Sequence, residues 1–390
     1  MKVDSLKTRK KQRGRLRAEK RFRAYGILAL GFAALFILFF FIDIFGKGLP
    51  AFRTVQVQAT IEYSQAVADG SYRKAVSKEM RHMVSRGWLR DLVAELRKHP
   101  EKIGSSETLW VPAEFRVNQY IKGKKGHGLK AKYQKVADRL QSEGKIRMAF
   151  NWQFFLHGDS KLPEMAGIGA ALVGSVMVML ITMVLAVPLG VLTAVYLEEF
   201  APDNGLTRLI EININNLAAI PSILYGLLGL AIFINIFGVP RSSALAGGMT
   251  LSLMTLPTII ISTRAALRSV PNSIREAAFG VGASRLQTVW HHVLPPAMPG
   301  ILTGSIIGLA QALGETAPLL IVGMMAFIPE SPTTITSAAT VLPAQVYTWS
   351  ADSIRAFGEL TAAGVIVLLS VMLMLNGLAI WLRHRLDKTW

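Results

Sequence analysis

The sequence predicts an all-α membrane protein with six transmembrane helices and a large, mostly helical soluble insertion after the first of them. Apolar residues make up 51% of the 390 residues, and charged residues make up only 17%. A helix needs about 20 mostly apolar residues to cross the ~30 Å hydrocarbon core of a bilayer. Six stretches reach that length: 25–45, 168–196, 217–239, 244–263, 300–328 and 360–382. The chain therefore divides into four parts: a basic tail (1–24), a first transmembrane helix (25–45), an insertion (46–165) and a transmembrane core (166–390).

Basic residues beside these stretches predict the orientation of the chain. The tail holds eleven Lys or Arg residues, and the polar segment after the fourth stretch holds Arg264, Arg268, Arg275 and Arg285. Lys and Arg close to membrane spans stay on the cytoplasmic side. With six crossings, both termini and the segment 264–299 are predicted in the cytoplasm, and the insertion on the outer side. The first apolar stretch is too long for a signal peptide and is predicted to be an uncleaved anchor.

The insertion is strongly basic. It holds 22 of the 43 Lys and Arg residues and 12 acidic residues. Apolar residues at helical spacing predict helices near 76–84, 89–96 and 136–140. The basic run 122–132 lacks the spacing of a nucleotide-binding P-loop. Two interpretations of this charge stay open, a solvated surface without a ligand and a field that concentrates anions. Nucleic acid is not expected as a partner of an outer domain.

A polar segment interrupted by glycines, residues 273–295, lies between the fourth and fifth apolar stretches. Two capping-box patterns predict two short helices there: Ser273 with Glu276, and Ser284 with Gln287. Gly280 and Gly282 predict a tight turn between the two helices. Apolar residues recur along one face of the second helix: Leu286, Val289, Trp290 and Val293. Pro295 and Pro296 are predicted to end that helix.

Three ionisable residues in or near the spans require an explanation. Arg264 and Arg268 are one helical turn apart, so their guanidinium groups share a face and either line an anion pathway or anchor the helix at the interface. Glu315 lies in the fifth apolar stretch, where a carboxylate costs at least about 2.5 kcal/mol unless it faces protein or water. Its predicted position is on the small-residue stripe of Gly300, Gly304 and Gly308. Packing, gating and pairing with a basic residue all stay open for Glu315.

No catalytic or metal site is expected. The chain has no cysteine, and the adjacent His291 and His292 point in different directions on a helix. The sequence also contains no P-loop motif. If ATP hydrolysis drives this protein, a partner subunit must perform it, and this chain binds no cofactor of its own.

The polar segment resembles the EAA motif of ABC-importer permeases. Glu276, Ala277 and Ala278 are followed at the family spacing by Gly282 and by Leu294-Pro295, and His292 stands where the family has isoleucine. The segments 314–320 (GETAPLL), 216–226 and 342–347 are similar to the PstA-type permease of the phosphate-specific transporter. The resemblance covers about residues 150 to 390.

This resemblance implies a type I ABC-importer permease core in the bacterial inner membrane, carrying inorganic phosphate. It also implies a PstC-like permease partner, two copies of a cytoplasmic ATPase that uses ATP and magnesium, and a periplasmic phosphate-binding protein. Glu276, Ala277, Ala278, Gly282, Leu294 and Pro295 would then couple this chain to the ATPase. A permease for molybdate, sulfate or phosphonate stays a close alternative, and a membrane-anchored sensory protein stays a more distant one.

Overall fold

The first helix, α1 (Lys2–Gly48), runs without interruption through the basic tail and the first apolar stretch. The computed structural model describes residues 2–386, with side chains for 18–378, 380, 381 and 385. Most side chains of the tail, and the C-terminal Lys388, therefore lie outside the described residues. The apolar side chains of α1 are almost all exposed, as expected for a helix surrounded by lipid. Its C-terminal end packs closely on the last helix, because a Cβ on Gly48 would lie 2.8 Å from the carbonyl carbon of Ala362.

A three-stranded antiparallel sheet lies at the centre of the insertion. Its strands are β1 (Arg53–Glu62), β2 (Ser106–Pro112) and β3 (Ile146–Phe150), in the order β2-β1-β3. Five short helices surround it: α2 (Gln65–Ala68), α3 (Arg86–Lys98), α4 (Phe115–Ile121), α5 (Ala131–Ser142) and α6 (Trp152–Leu156). The helical periodicity did not reveal this sheet.

Two of the three helices predicted in the insertion are confirmed as α3 and α5. The helix predicted at 76–84 is wrong, because only the 3-10 turn Met80–His82 is helical there. Val76, Met83 and Val84 are nevertheless buried. Their spacing reflects packing against the sheet and its neighbouring helices, which a turn serves as well as a helix.

The membrane core consists of ten helices among the described residues. They are α7 (Gly169–Val195), α8 (Gly205–Ala218), α9 (Ser222–Leu228), α10 (Ala244–Arg268), α11 (Asn272–Gly280), α12 (Arg285–Thr288), α13 (Leu294–Gly314), α14 (Ala317–Ile321), α15 (Leu342–Ser350) and α16 (Arg355–Leu386). Helix α10 lies at the centre and packs against both α7 and α13. Five helical stretches are long and apolar enough to cross a membrane, and a sixth crossing requires that α8 and the helix starting at Ser222 form one bent span. The all-α membrane class is confirmed for the core.

The third apolar stretch, 217–239, is not one straight helix, so that prediction is wrong. Helix α8 ends before Pro221, and the chain then bends by 108° into Ser222–Ile236. The residue before a proline is disfavoured in helical geometry, and Pro221 adopts an extended conformation at the start of α9. The second half of this piece, Gly229–Ile236, continues with π-helical hydrogen bonds.

The helix predicted at 300–328, the fifth stretch, lies earlier in the chain than predicted. The helix extends from Arg285 to Gly314 and stops at Glu315, whose backbone is extended. The short α14 then packs on α9, since a Cβ on Gly226 would lie 2.8 Å from the Cα of Pro318. Two interrupted helices therefore contact each other in the core.

The small-residue stripe on α13 allows close helix packing. A Cβ on Gly300 would lie 2.7 Å from the Cβ of Ala266, and one on Gly304 would lie 2.4 Å from the Cβ of Ser262. These distances are too short for any real side chain, so α13 approaches α10 at backbone distance there. The close approach predicted from the stripe is confirmed.

Candidate coupling site

The polar segment 273–295 is a helix, a glycine turn and a second helix. Helix α11 ends in a Schellman motif: the amide of Ala283 donates to the carbonyl of Ala278 at 3.0 Å, and that of Gly282 donates to Phe279 at 2.9 Å. This motif needs a left-handed residue after the helix end, and Gly282 supplies it with φ +86°. Gly280 belongs to α11 and has no such conformation.

Only one of the two predicted capping boxes is present. Ser284 accepts from the amide of Gln287 at 3.3 Å, and the Gln287 side chain accepts from the Ser284 amide at 2.9 Å. The box predicted for Ser273 is wrong. Helix α11 already begins at Asn272, directly after Pro271, so Ser273 lies inside the first turn and cannot act as the N-cap.

Pro295 and Pro296 do not end the second helix, which corrects that prediction. The chain stays helical from Arg285 through Gly314. The five residues before these prolines, Val289–Val293, form π-helical turns, and the amide of Leu294 donates to the carbonyl of Val289. A wider turn accommodates residues that lack an N–H group. The second helix of the segment, α12, is thus continuous with the transmembrane helix α13.

The segment carries apolar side chains that face outward. Val289 and Val293 are buried against the core, whereas Leu286 and Trp290 of the same predicted stripe are 64% and 61% exposed. Across the turn, Val281 is 85% exposed and Phe279 is 48% exposed. Among the predicted motif residues, Ala278 is buried, Leu294 is half-buried, and Glu276, Ala277, Gly282 and Pro295 are exposed. An apolar surface that protrudes from a polar segment is typical of a protein interface.

Arg275 attaches this segment to the core. Its Nη2 lies 2.6 Å from Oε1 of Glu199, which follows α7, and the side chains are 17% and 9% exposed. The same guanidinium donates to the carbonyl of Val270 at 2.8 Å and to that of Leu267 at 3.0 Å, at the C-terminal end of α10. One residue of α11 thus holds two membrane helices.

A four-membered ion network lies beside that pair. Arg264 contacts Oε2 of Glu198 at 3.1 Å and Oε1 of Glu211 at 2.6 Å, and Arg268 contacts Oε1 of Glu198 at 2.7 Å. Arg264, Glu198 and Glu211 are largely buried, whereas Arg268 is 61% exposed. The network joins α10 to α8 and to the end of α7. A groove of about 490 Å³ lies between these charges and the helices α11 and α12.

The structure brings Arg264 and Arg268 together as the sequence predicted, but it engages both with carboxylates. Their role in an anion pathway stays a prediction. Glu315 is half-buried at the break between α13 and α14. The helix ends one residue earlier, so Glu315 is its C-cap residue and starts an extended segment; its place on the face of the glycine stripe stays a prediction. Among the described side chains it forms no ion pair, and its gating role also stays a prediction.

Comparison with known proteins identifies the family. The family model of the binding-protein-dependent transport system inner membrane component matches residues 186–389, just over half of the chain. This chain belongs to that family. A second family model, a domain of unknown function (DUF3333), matches residues 9–77 of this chain.

Three relatives show how far the similarity extends. The probable ABC transporter permease protein YqgI of Bacillus subtilis is 32% identical over 250 residues, which cover 61% of this chain and 85% of that protein. The phosphate transport system permease protein PstA of Pasteurella multocida is 28% identical, with 58% and 80% covered. PstA 1 of Mycobacterium tuberculosis is 37% identical over 172 residues, and the chain spans 55% of its length. The predicted ABC-permease family is confirmed.

The acidic partners in this inner membrane component were missed by sequence reasoning. Glu198 and Glu199 follow the second apolar stretch and Glu211 lies a few residues further on, but no local pattern indicates their partners. One sequence signal pointed to Glu198 and Glu199, because two adjacent carboxylates at the end of an apolar span need a cation to balance their charge. Which arginine supplies it depends on a fold that brings residues 198 and 264 together.

On the opposite side of the core, the insertion is attached by a buried ion pair. Nζ of Lys122 lies 2.9 Å from Oε1 of Glu359 and donates to the carbonyl of Pro50 at 2.8 Å, with both charged side chains at most 10% exposed. Gln119 donates to the other oxygen of Glu359 at 2.8 Å. Burial lowers the pKa of Lys122 despite the neighbouring carboxylate. The basic run 122–132 thus begins as a contact with α16.

Proposed function

We propose that this chain is the PstA-type permease subunit of an ATP-driven importer of inorganic phosphate. It forms half of the translocation pathway and is coupled to cytoplasmic ATPase subunits. The relatives named phosphate transport system permease support the cargo, as does the GETAPLL segment at residues 314–320. The cargo rests on these similarities, because oxyanions of similar size require similar donors.

The coupling segment is the observation that carries this proposal. Its outward apolar side chains offer a surface to a soluble partner, and Gly282 fixes the angle between its two helices. The second helix continues directly into α13, and Arg275 links the first to α7 and α10. Movement of an ATPase against this surface would therefore displace three membrane helices together. Such rigid-body motion is a common way to open and close a binding site.

The proposed assembly contains one PstC-like permease subunit, two copies of a cytoplasmic ATPase and a periplasmic phosphate-binding protein. ATP and magnesium act in the ATPase subunits, and this chain binds no cofactor. Both termini and the coupling segment lie in the cytoplasm, whereas the insertion lies outside. Membrane lipid surrounds the apolar helices.

The arginines and Glu315 have proposed roles that transport measurements can separate. The ion pairs of Arg264 with Glu198 and Glu211 favour a role in transmitting coupling-segment motion, whereas the anion-pathway role requires those pairs to open. If Arg264 serves the anion, Arg264→Ala weakens transport and leaves ATPase binding intact. If the variant loses the ATPase on co-purification, Arg264 belongs to the coupling site. Glu315 is proposed as a gate at the break after α13.

Trp290→Ser tests the docking surface. A central exposed tryptophan typically contributes 2 kcal/mol or more to an interface, which corresponds to roughly a 30-fold loss of affinity. We expect the ATPase to be lost on co-purification and uptake to stop. The matched control is Trp152→Ser, because Trp152 is 66% exposed in the insertion and should not touch the ATPase. Normal ATPase binding by Trp290→Ser would contradict this docking surface.

Uptake of labelled phosphate by proteoliposomes tests the cargo. The partner subunits and the binding protein are supplied, and unlabelled sulfate, molybdate or phosphonate competes. We expect ATP-dependent phosphate uptake that the other anions do not block. Uptake of a different oxyanion would leave the coupling proposal intact and overturn the cargo. Ligand binding without any ATP-dependent uptake would favour the sensory alternative.

A further inference from the structure

A cluster of basic side chains surrounds a cavity of about 200 Å³ in the insertion, far along the chain from the coupling segment. We call it the basic pocket. Its lining includes five charged residues and one histidine: Arg81, His82, Arg86, Glu114, Arg116 and Lys130. They come from three separate parts of the insertion, near residues 81–86, 114–116 and 130, so the fold and not a local run of charge assembles them.

The arrangement leaves positive charge without a protein partner. The buried Nε of Arg81 has no hydrogen-bond acceptor among the described residues, and a buried donor without an acceptor costs about 1–3 kcal/mol. Glu114 is the only carboxylate in the pocket lining, and it is already engaged by the backbone amide of Arg116 at 2.9 Å and by the Arg116 side chain at 3.9 Å. Arg86 and Lys130 form no ion pair in the described part of the insertion.

The pKa of His82 is consistent with this excess of positive charge. Burial lowers its pKa, and the charges of Arg86, Arg73, Lys130 and Lys132 lower it further. Arg86 also begins α3, whose N-terminal dipole is positive. An anion placed in the pocket would relieve this repulsion among like charges.

We propose that the basic pocket binds an oxyanion of the phosphate type, whose chemistry is shared by inorganic phosphate and the headgroup of an anionic lipid. Guanidinium groups match tetrahedral oxyanions through paired N–H donors, and Arg81 and Arg86 present two of them to one cavity. The proposal does not depend on phosphate being the cargo, since the pocket's own charges define the ligand. It gives the basic insertion a defined site in addition to its general charge.

Binding of radiolabelled inorganic phosphate to the full-length chain in phosphatidylcholine nanodiscs tests the proposal. We expect saturable binding that weakens by at least about tenfold in the double variant R81Q/R86Q, because two charge-assisted contacts are lost. The matched control K98Q/K135Q removes the same charge from exposed lysines of the insertion that do not line the pocket. This control should bind within about twofold of the wild type, since long-range attraction is weak in salt.

The results distinguish free phosphate from a lipid headgroup as the ligand, or refute the site. If phosphate does not bind but photo-crosslinkable phosphatidylglycerol labels the wild type and not R81Q/R86Q, the ligand is a lipid headgroup and the site stands. If R81Q/R86Q binds both probes like the wild type, or if K98Q/K135Q loses as much, the pocket is not a site. If neither probe binds the wild type, the proposal is overturned.

A milder variant keeps the test valid should the double variant fold poorly. Lys130 is exposed at the rim, so Lys130→Gln should leave folding unchanged and weaken binding about threefold. Lys135→Gln is its single-charge control. Equal affinities for these two single variants would contradict the pocket. Phosphate uptake is measured separately, so failure of this site and failure of the proposed cargo are distinguishable.

Discussion

Replacing Arg275 by methionine should uncouple the permease without removing it from the membrane. The substitution keeps much of the side-chain volume and removes the charge. It leaves Glu199, which is only 9% exposed, without its cation, and removes a single partner from a buried pair. That change typically costs about 3–5 kcal/mol. The carbonyls of Leu267 and Val270 each lose the bond from Arg275 as well, at about 1 kcal/mol each, although Leu267 keeps the bond from the amide of Val270.

These contacts all lie between α11 and the membrane helices. Their loss therefore weakens the attachment of the coupling segment to the core. A loss of about 3 kcal/mol, the low end of the range, lowers the equilibrium constant for attachment of the segment by roughly 100-fold. We therefore expect ATP-dependent uptake in proteoliposomes to fall at least about tenfold for Arg275→Met. The ATPase should still bind, because Leu286 and Trp290 are untouched. ATP hydrolysis would then continue without uptake.

Two further variants show whether the ion pair causes the effect. Glu199→Gln combined with Arg275→Met leaves no unpaired buried charge and should recover part of the lost uptake. Arg208→Met removes an exposed partner of Asp203 and should change uptake little, since exposed pairs contribute about 0–1 kcal/mol. Wild-type uptake by Arg275→Met would refute the reasoning. So would a double variant no better than the single one.

Three other predictions concern packing, the turn and pH. Gly304→Ala should destabilise the core by about 1–3 kcal/mol, because its Cβ would lie 2.4 Å from the Cβ of Ser262; a thermal unfolding midpoint equal to wild type would show that the helices are not so close. Gly282→Ala should cost about 1–2 kcal/mol by forcing alanine to φ +86° and should reduce uptake, whereas Gly280→Ala, which has open space, should not; equal effects would contradict the Schellman turn. Burial raises the pKa of Glu164 from 4.5 to about 7, so the stability it contributes is fully present below pH 4.5 and is lost as pH rises through 7. At pH 8 the free energy of unfolding of Glu164→Gln should therefore exceed that of wild type by about 3 kcal/mol, which raises its unfolding temperature. Unfolding midpoints that shift with pH identically in both proteins would contradict this.

The insertion contains a strand signal for which the sequence analysis predicted no element. Val55, Val57, Ala59 and Ile61 alternate with polar residues along β1 and are all buried. Such alternation predicts a strand, yet a single strand has no meaning without partners. Its partners β2 and β3 are about 50 and 90 residues further on, and no local pattern gives that pairing. The domain boundaries at residues 24, 45 and 165 stay predictions.

The sequence by itself determined the membrane class, the number of apolar stretches, the EAA-like motif and the turn at Gly282. These features depend on local composition and spacing, which physical rules read directly. Tertiary structure alone decided where the helices break, which carboxylates hold Arg264, Arg268 and Arg275, and which half of the apolar stripe on the second coupling helix faces outward. Charge pairing and burial depend on contacts between residues far apart in the chain. A sequence shows that a charge needs a partner, and only the fold selects the partner.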